Sequence, residues 1–217
     1  MKYFIISQPK SGTYLLANLL VEFGIKHSYM HIREERYEKY DPNNLDESAR
    51  NPSKYSFNSH LENTLTLIEE GSLAVSHLEH SEKKVELLKD FKKILITRDG
   101  KEIRESAKRW KKDYKRGKGM PPKYDYEAIE RWKEEEDVFH LDFGDIININ
   151  KSKLDELQKH LFPRRGNLYN SESCAKNAMA KDSITKSQFR GTEKKMVTTF
   201  ESLQIRLSKL FSKLFKR

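Results

Sequence analysis

The sequence predicts an α/β fold, a three-layer sandwich in which a mainly parallel sheet is flanked by helices. Two patterns carry that expectation. Apolar runs of strand length, at 4–6, 72–76, 93–97 and 138–141, alternate with segments of helical periodicity, as in βαβ units. Lys10, His77 and Arg98 each stand just past one of those runs, and parallel sheets bind ligands at the carboxyl ends of their strands.

The first run, Phe4-Ile5-Ile6, has the character of a fully buried strand. The tight turn Gln8-Pro9-Lys10-Ser11-Gly12-Thr13 follows, and beyond it Leu15, Leu16, Leu19, Leu20 and Phe23 share one helix face. The first backbone N–H groups of such a helix have no intrahelical partner, and its dipole favours an anion there. Gly12 lets the backbone approach a ligand closely, and Lys10 adds a mobile charge. The lysine precedes the turn, so this is not a Walker A loop.

Gly24 ends the first helix, and residues 26–32 hold a second short strand. Residues 33–59 are polar and turn-rich around Asp41-Pro42-Asn43-Asn44, and read as a mobile excursion suited to an acceptor-binding lid. Leu61, Leu65 and Ile68 form a helical stripe that closes at Gly71. A buried strand over 72–76 ends in His77, and a helix over 82–91 turns Val85 and Leu88 inward. Residues 93–97 (KILIT) form the clearest strand and lead into Arg98-Asp99-Gly100, where Asp99 can cap the next helix. That helix places Ile103, Ala107, Trp110 and Tyr114 on one stripe. A loop over 116–123, a helix over 124–136, the strand 138–141 and a helix over 152–161, stopped before Pro163, complete the regular part. Residues 164–187 read as irregular.

A chain of 217 residues reads as a single domain, 1–217, large enough for a sizeable core. Its 35% charged and 36% hydrophobic content describes a polar globular protein, and no run of eighteen apolar residues could span a membrane. A lone cysteine, Cys174, excludes an internal disulfide and a cysteine-built zinc site. With only Met1-Lys2 before the first strand, the chain reads as cytoplasmic. The net charge of +9 is uneven: residues 101–123 and 181–217 each hold ten basic and three acidic residues, which leaves −5 for everything else. Such asymmetry points to an anionic ligand or surface. No helix-turn-helix, zinc or RNA-binding signature accompanies it, so nucleic acid is not the expected partner. In residues 203–217, Leu207, Leu210, Phe211, Leu214 and Phe215 form an apolar stripe among basic residues. Such a helix either docks on its own domain or makes a peripheral contact with anionic lipid.

Two motifs resemble those of the sulfotransferases that use 3′-phosphoadenylyl sulfate (PAPS). Pro9-Lys10-Ser11-Gly12-Thr13 is similar to the family's 5′-phosphosulfate loop. ILITRDGKEIRES, with Arg98 at a strand end and Ser106 eight residues on, is similar to its 3′-phosphate motif. His77-Leu78-Glu79-His80-Ser81 resembles the His-Leu-Pro segment that supplies the catalytic base, with Glu79 in place of the proline and His80 nearby. Ser187-Gln188-Phe189-Arg190-Gly191-Thr192 is a worn version of the last cofactor motif, and residues 138–145 a degraded form of a late family strand. The resemblance implies a P-loop NTPase-like sulfotransferase fold that needs no metal. It implies that Lys10, Ser11, Gly12, Thr13 and Tyr14 hold the 5′-phosphosulfate and that Arg98, Ser106, Arg190 and Gly191 hold the 3′-phosphate. His77 would act as base ahead of Glu79 and His80, and Lys10 would share in catalysis. The reaction implied is sulfuryl transfer from PAPS to a hydroxyl or amine of a small-molecule, carbohydrate or lipid acceptor, leaving 3′-phosphoadenosine 5′-phosphate (PAP). A sulfotransferase-like binder of nucleotides or anionic polymers, without catalysis, is the alternative. A basic nucleic-acid-binding protein is the third reading.

Overall fold

The structure, a computed structural model, describes residues 1–41, 52–114 and 125–182. The chain divides into two units, Met1–Ala180 and Lys181–Arg217. The fold below is that of the first. Residues 115–124 and 183–217, which include Arg190, Gly191 and the basic stripe 203–217, lie outside the described residues.

Among the described residues seven strands make one sheet, in the order β4-β3-β2-β5-β1-β6-β7. They are β1 Lys2–Ser7, β2 Lys26–Ile32, β3 Arg36–Lys39, β4 Ser56–Asn58, β5 Ser72–Ser76, β6 Phe91–Thr97 and β7 Val138–Asp142. The pairs β2·β5, β5·β1, β1·β6 and β6·β7 are parallel, and β2·β3 and β3·β4 antiparallel. The helices are α1 Thr13–Glu22, α2 Leu61–Thr66, α3 Glu82–Leu87, α4 Gly100–Tyr114, α5 Tyr126–Glu130, α6 Phe143–Ile147, α7 Lys151–Leu161 and α8 over 171–182. A 3₁₀ turn, Arg131–Glu134, continues α5. Among the described residues no helix is long and apolar enough to cross a membrane.

Strand alternation divides the core into two layers. Tyr3 and Ile5 of β1 face Leu15, Leu16, Leu19 and Leu20 of α1, Leu154, Leu157 and Leu161 of α7, and Cys174, Ala175 and Ala178 of α8. Phe4 and Ile6 face the other way, onto Leu61 and Leu65 of α2, Ile129 of α5 and Trp132. Helices therefore cover both faces of a mainly parallel sheet, the predicted three-layer α/β architecture.

The helix read over 82–91 ends at Leu87, with Phe91 opening β6, and α6 follows β7 where no helix is expected. Two further stretches differ from the sequence reading. Part of the polar 33–59 stretch is β3 and β4, which extend the sheet through backbone pairing in the registers Ile32↔Tyr37 and Tyr37↔Phe57; residues 42–51 within it lie outside the described residues. Polar side chains hide such strands because the ladder is made by the backbone. The stretch 164–187, read as irregular, contains α8, whose buried residues Ser171, Cys174, Ala175 and Ala178 recur at helical spacing. Small residues bury little apolar area, so the stripe has a faint hydropathy signal.

The parallel registers align the strand ends: Ile32 and Ile6 both pair with Ser76, Ser7 with Ile96, and Thr97 with Asp142. One sheet edge therefore gathers Arg33, the 8–12 turn, His77, Arg98 and Phe143. Trp132, fully buried, braces that edge from below by donating its Nε1–H to the Leu78 carbonyl at 3.0 Å. Replacing it with phenylalanine leaves that carbonyl without its donor and opens a void. Trp132→Phe should cost roughly 2–4 kcal/mol, read as a lower denaturant midpoint at unchanged slope.

Candidate functional site

The turn between β1 and α1 is held by its own polar atoms. Ser11 donates its N–H to the Gln8 carbonyl at 3.1 Å, and its hydroxyl to the same carbonyl at 2.7 Å and to that of Ile96 at 3.2 Å. The Arg98 N–H donates to Gln8 Oε1 at 3.4 Å. Ser11 is thus a buried latch between the turn and β6, and its hydroxyl hydrogen is directed at carbonyls. Lys10 at φ 70° and Gly12 at φ 99° take left-handed backbone. Gly12 has a second constraint, since a β-carbon there would lie 2.4 Å from Phe143 Cδ2.

This turn releases the chain into α1 with no side-chain cap and no acidic residue in the first turn. Uncapped N–H groups and the positive end of the helix dipole make this start an arrangement that suits an anion. Lys10, Thr13 and Tyr14 surround that helix start. The Ser7 hydroxyl donates to the Ser76 carbonyl at 2.9 Å, and the Thr13 hydroxyl donates to Ser7 Oγ at 2.8 Å.

His77 joins the same network. Its Nδ1 lies 2.8 Å from the Ser7 carbonyl and 3.0 Å from Ser7 Oγ. A carbonyl only accepts, so Nδ1 carries the hydrogen and Nε2 the lone pair. Burial, followed by His31, Arg33 and Lys10, holds its pKa well below the ordinary imidazole value, against the opposing effect of the Ser7 carbonyl. The ring is a neutral base at neutral pH. His31 of β2, buried, meets it edge to face at 4.7 Å between ring centres. Burial, with Arg33 and Arg36, holds His31 down at about 3. Tyr14 exposes 44% of its surface, yet its hydroxyl end sits by His31 Nδ1 at 3.4 Å, and burial pushes the phenol up to about 12.

Glu79 and His80 point to other work. Glu79 Oε1 accepts the Asp125 N–H at 3.1 Å, and His80 Nε2 pairs with Glu135 at 2.7 Å, so both tie the strand exit to the 125–135 segment. Arg98 lies over the Phe143 ring at 3.9 Å, with its Nε donating to Glu102 at 2.7 Å and one terminal N–H to the Lys10 carbonyl at 3.5 Å. Asp99 caps α4 by accepting the N–H groups of Lys101 and Glu102. Ser106 is half-buried on α4, one turn past the buried Ile103. The fold thus gathers Lys10, Ser11, Gly12, Thr13, Tyr14, His77 and Arg98 in one network. It adds Ser7 and His31, which no sequence motif marks, and Phe143, from the degraded motif over 138–145.

Two outcomes follow. His27 is held at about 4 by burial, and His31 and His77 are also depressed, so the unfolded chain binds three protons that the folded one refuses. Stability should fall as pH drops from 6.5 to 5, at about 1.4 kcal/mol per pH unit for each fully titrating histidine; His140 and His160 act in the same direction. Denaturant unfolding at stepped pH reads this, and His31→Phe should remove about one histidine's share. In the turn, Lys10→Gly should stabilise the fold by roughly 1 kcal/mol by relieving left-handed strain, while weakening anion binding in calorimetric titration.

No protein-family model matches the sequence, and no curated protein resembles it significantly. The fold is similar to the crystal structure of mouse sulfotransferase SULT7A1 complexed with PAP, at 17% identity and a TM-score of 0.53. The match covers 82% of this chain and 62% of the mouse chain. The protein has a sulfotransferase-like α/β fold.

Proposed function

We propose that the protein is a sulfotransferase that moves the sulfuryl group of PAPS to a hydroxyl or amine of an acceptor. One observation carries the reading: the uncapped start of α1, built for an anion, is joined through Thr13 and Ser7 to a neutral histidine with a fixed tautomer. An anion site and a proton acceptor side by side are what sulfuryl transfer requires. The mouse sulfotransferase of similar fold binds PAP, which supports the choice of donor.

In the proposed step, His77 Nε2 takes the acceptor proton as the acceptor oxygen or nitrogen bonds to sulfur. The bond from sulfur to the bridging phosphate oxygen breaks in line, and PAP leaves with that electron pair. The N–H groups of α1 and the Lys10 ammonium stabilise charge collecting on the departing phosphate. Arg98 would turn its guanidinium from Glu102 to the 3′-phosphate, a bidentate exchange of one oxyanion for another. Ser106 would add a hydroxyl donor. Arg190 and Gly191, implied by the family resemblance, would close on the same phosphate.

Calorimetric titration with PAP against adenosine 5′-phosphate tests the donor assignment. PAP should bind at least tenfold more tightly, and Arg98→Ala should abolish the difference. Equal binding of the two nucleotides by folded protein would overturn the reading. Broad, salt-sensitive binding of DNA in its place would favour a nucleic-acid partner.

A further inference from the structure

Two adjacent residues of α1's first turn reach the base by separate routes. Thr13 reaches it through Ser7, as described above. Tyr14 reaches it through His31, which stands between the two rings: 6.4 Å from Tyr14 and 4.7 Å from His77, edge to face on both sides at 78°. The row continues to β3, because the Tyr14 hydroxyl also bonds Tyr40, whose hydroxyl donates to Glu38 at 2.5 Å. His31 is a costly residue to keep there. Its Nε2 is buried with no hydrogen-bond partner among the described residues, a penalty that phenylalanine would avoid at similar volume.

We infer that His31 is a positioning residue: clamped between Tyr14 and His77, it ties the orientation of the base to the first turn of the anion-binding helix. The inference rests on the function proposed above, and it adds a consequence. An anion that settles on the α1 N–H groups pulls on Thr13 and Tyr14 together, and both pulls arrive at the His77 ring. The charged and titratable groups around this row are Lys10 of the turn, Arg33 and Arg36 at the β2–β3 connection, Glu38 and Tyr40. An arriving dianion screens the cations among them, so the ring gains basicity as it is oriented.

The full chain labelled with ¹⁵N-histidine provides the test, in wild type, Tyr14→Phe and His31→Phe. Without ligand, exchange of the His77 Nδ1–H with water should be at least tenfold faster in both variants, while the global unfolding midpoint of Tyr14→Phe stays within a few degrees of wild type. Wild-type exchange in Tyr14→Phe overturns the inference and leaves His31 as packing; this variant decides even where His31→Phe fails to fold. At saturating PAP, the His77 ring signals should move in wild type and respond at least fivefold less in the variants. An equal response in variants and wild type contradicts the coupling. Absence of PAP binding to any of the three proteins sinks the sulfotransferase reading, and the ligand-free exchange rates still decide the role of His31.

Discussion

The backbone turn from β1 into α1 is the constraint on which the site depends. A buried strand end must pass directly into a helix without capping it, and two left-handed residues, Lys10 and Gly12, accomplish this. Strain of that kind persists only where the surroundings over-determine it. Here Ser11 fastens the turn to β6 through the Ile96 carbonyl, and Phe143 fills the space where a β-carbon on residue 12 would sit. The price of the geometry is local, and its product is a set of oriented N–H donors at the centre of the sheet edge.

Desolvation does the rest. His77 and His31 are buried beside Arg33 and Lys10, so the charged imidazolium is disfavoured and the ring stays neutral, as the proposed base must be. The same burial that keeps these rings neutral destabilises the fold in acid, so the proposed function and stability draw on one interaction with opposite signs. The cationic field that holds these histidines down would also attract the proposed anionic donor.

Much of this was legible in sequence, and the reason is the same in each case. β1, β5 and β6 are dense apolar runs, and a parallel sheet exposes its strand ends on one edge. Lys10, His77 and Arg98 could therefore be placed together before any coordinates. What sequence could not show depends on registers between distant segments. His31 matters because Ile32 pairs with Ser76, and Phe143 because Thr97 pairs with Asp142; neither relation is written in local spacing. Ser11 read as a phosphate ligand by its motif, whereas the fold directs its hydroxyl to two carbonyls. α8 went unseen because alanine and cysteine fill its buried face.

The proposed reaction requires the start of α1, beside His77, to receive the donor's 5′-phosphate. A crystal structure of the protein grown with PAP tests it most directly. The expected result is the 5′-phosphate on the N–H groups at the start of α1, Lys10 within contact distance, His77 Nε2 facing the departing side, and Arg98 turned from Glu102 to the 3′-phosphate. PAP bound elsewhere, or bound with Arg98 still on Glu102 and the α1 N–H groups facing solvent, would contradict it.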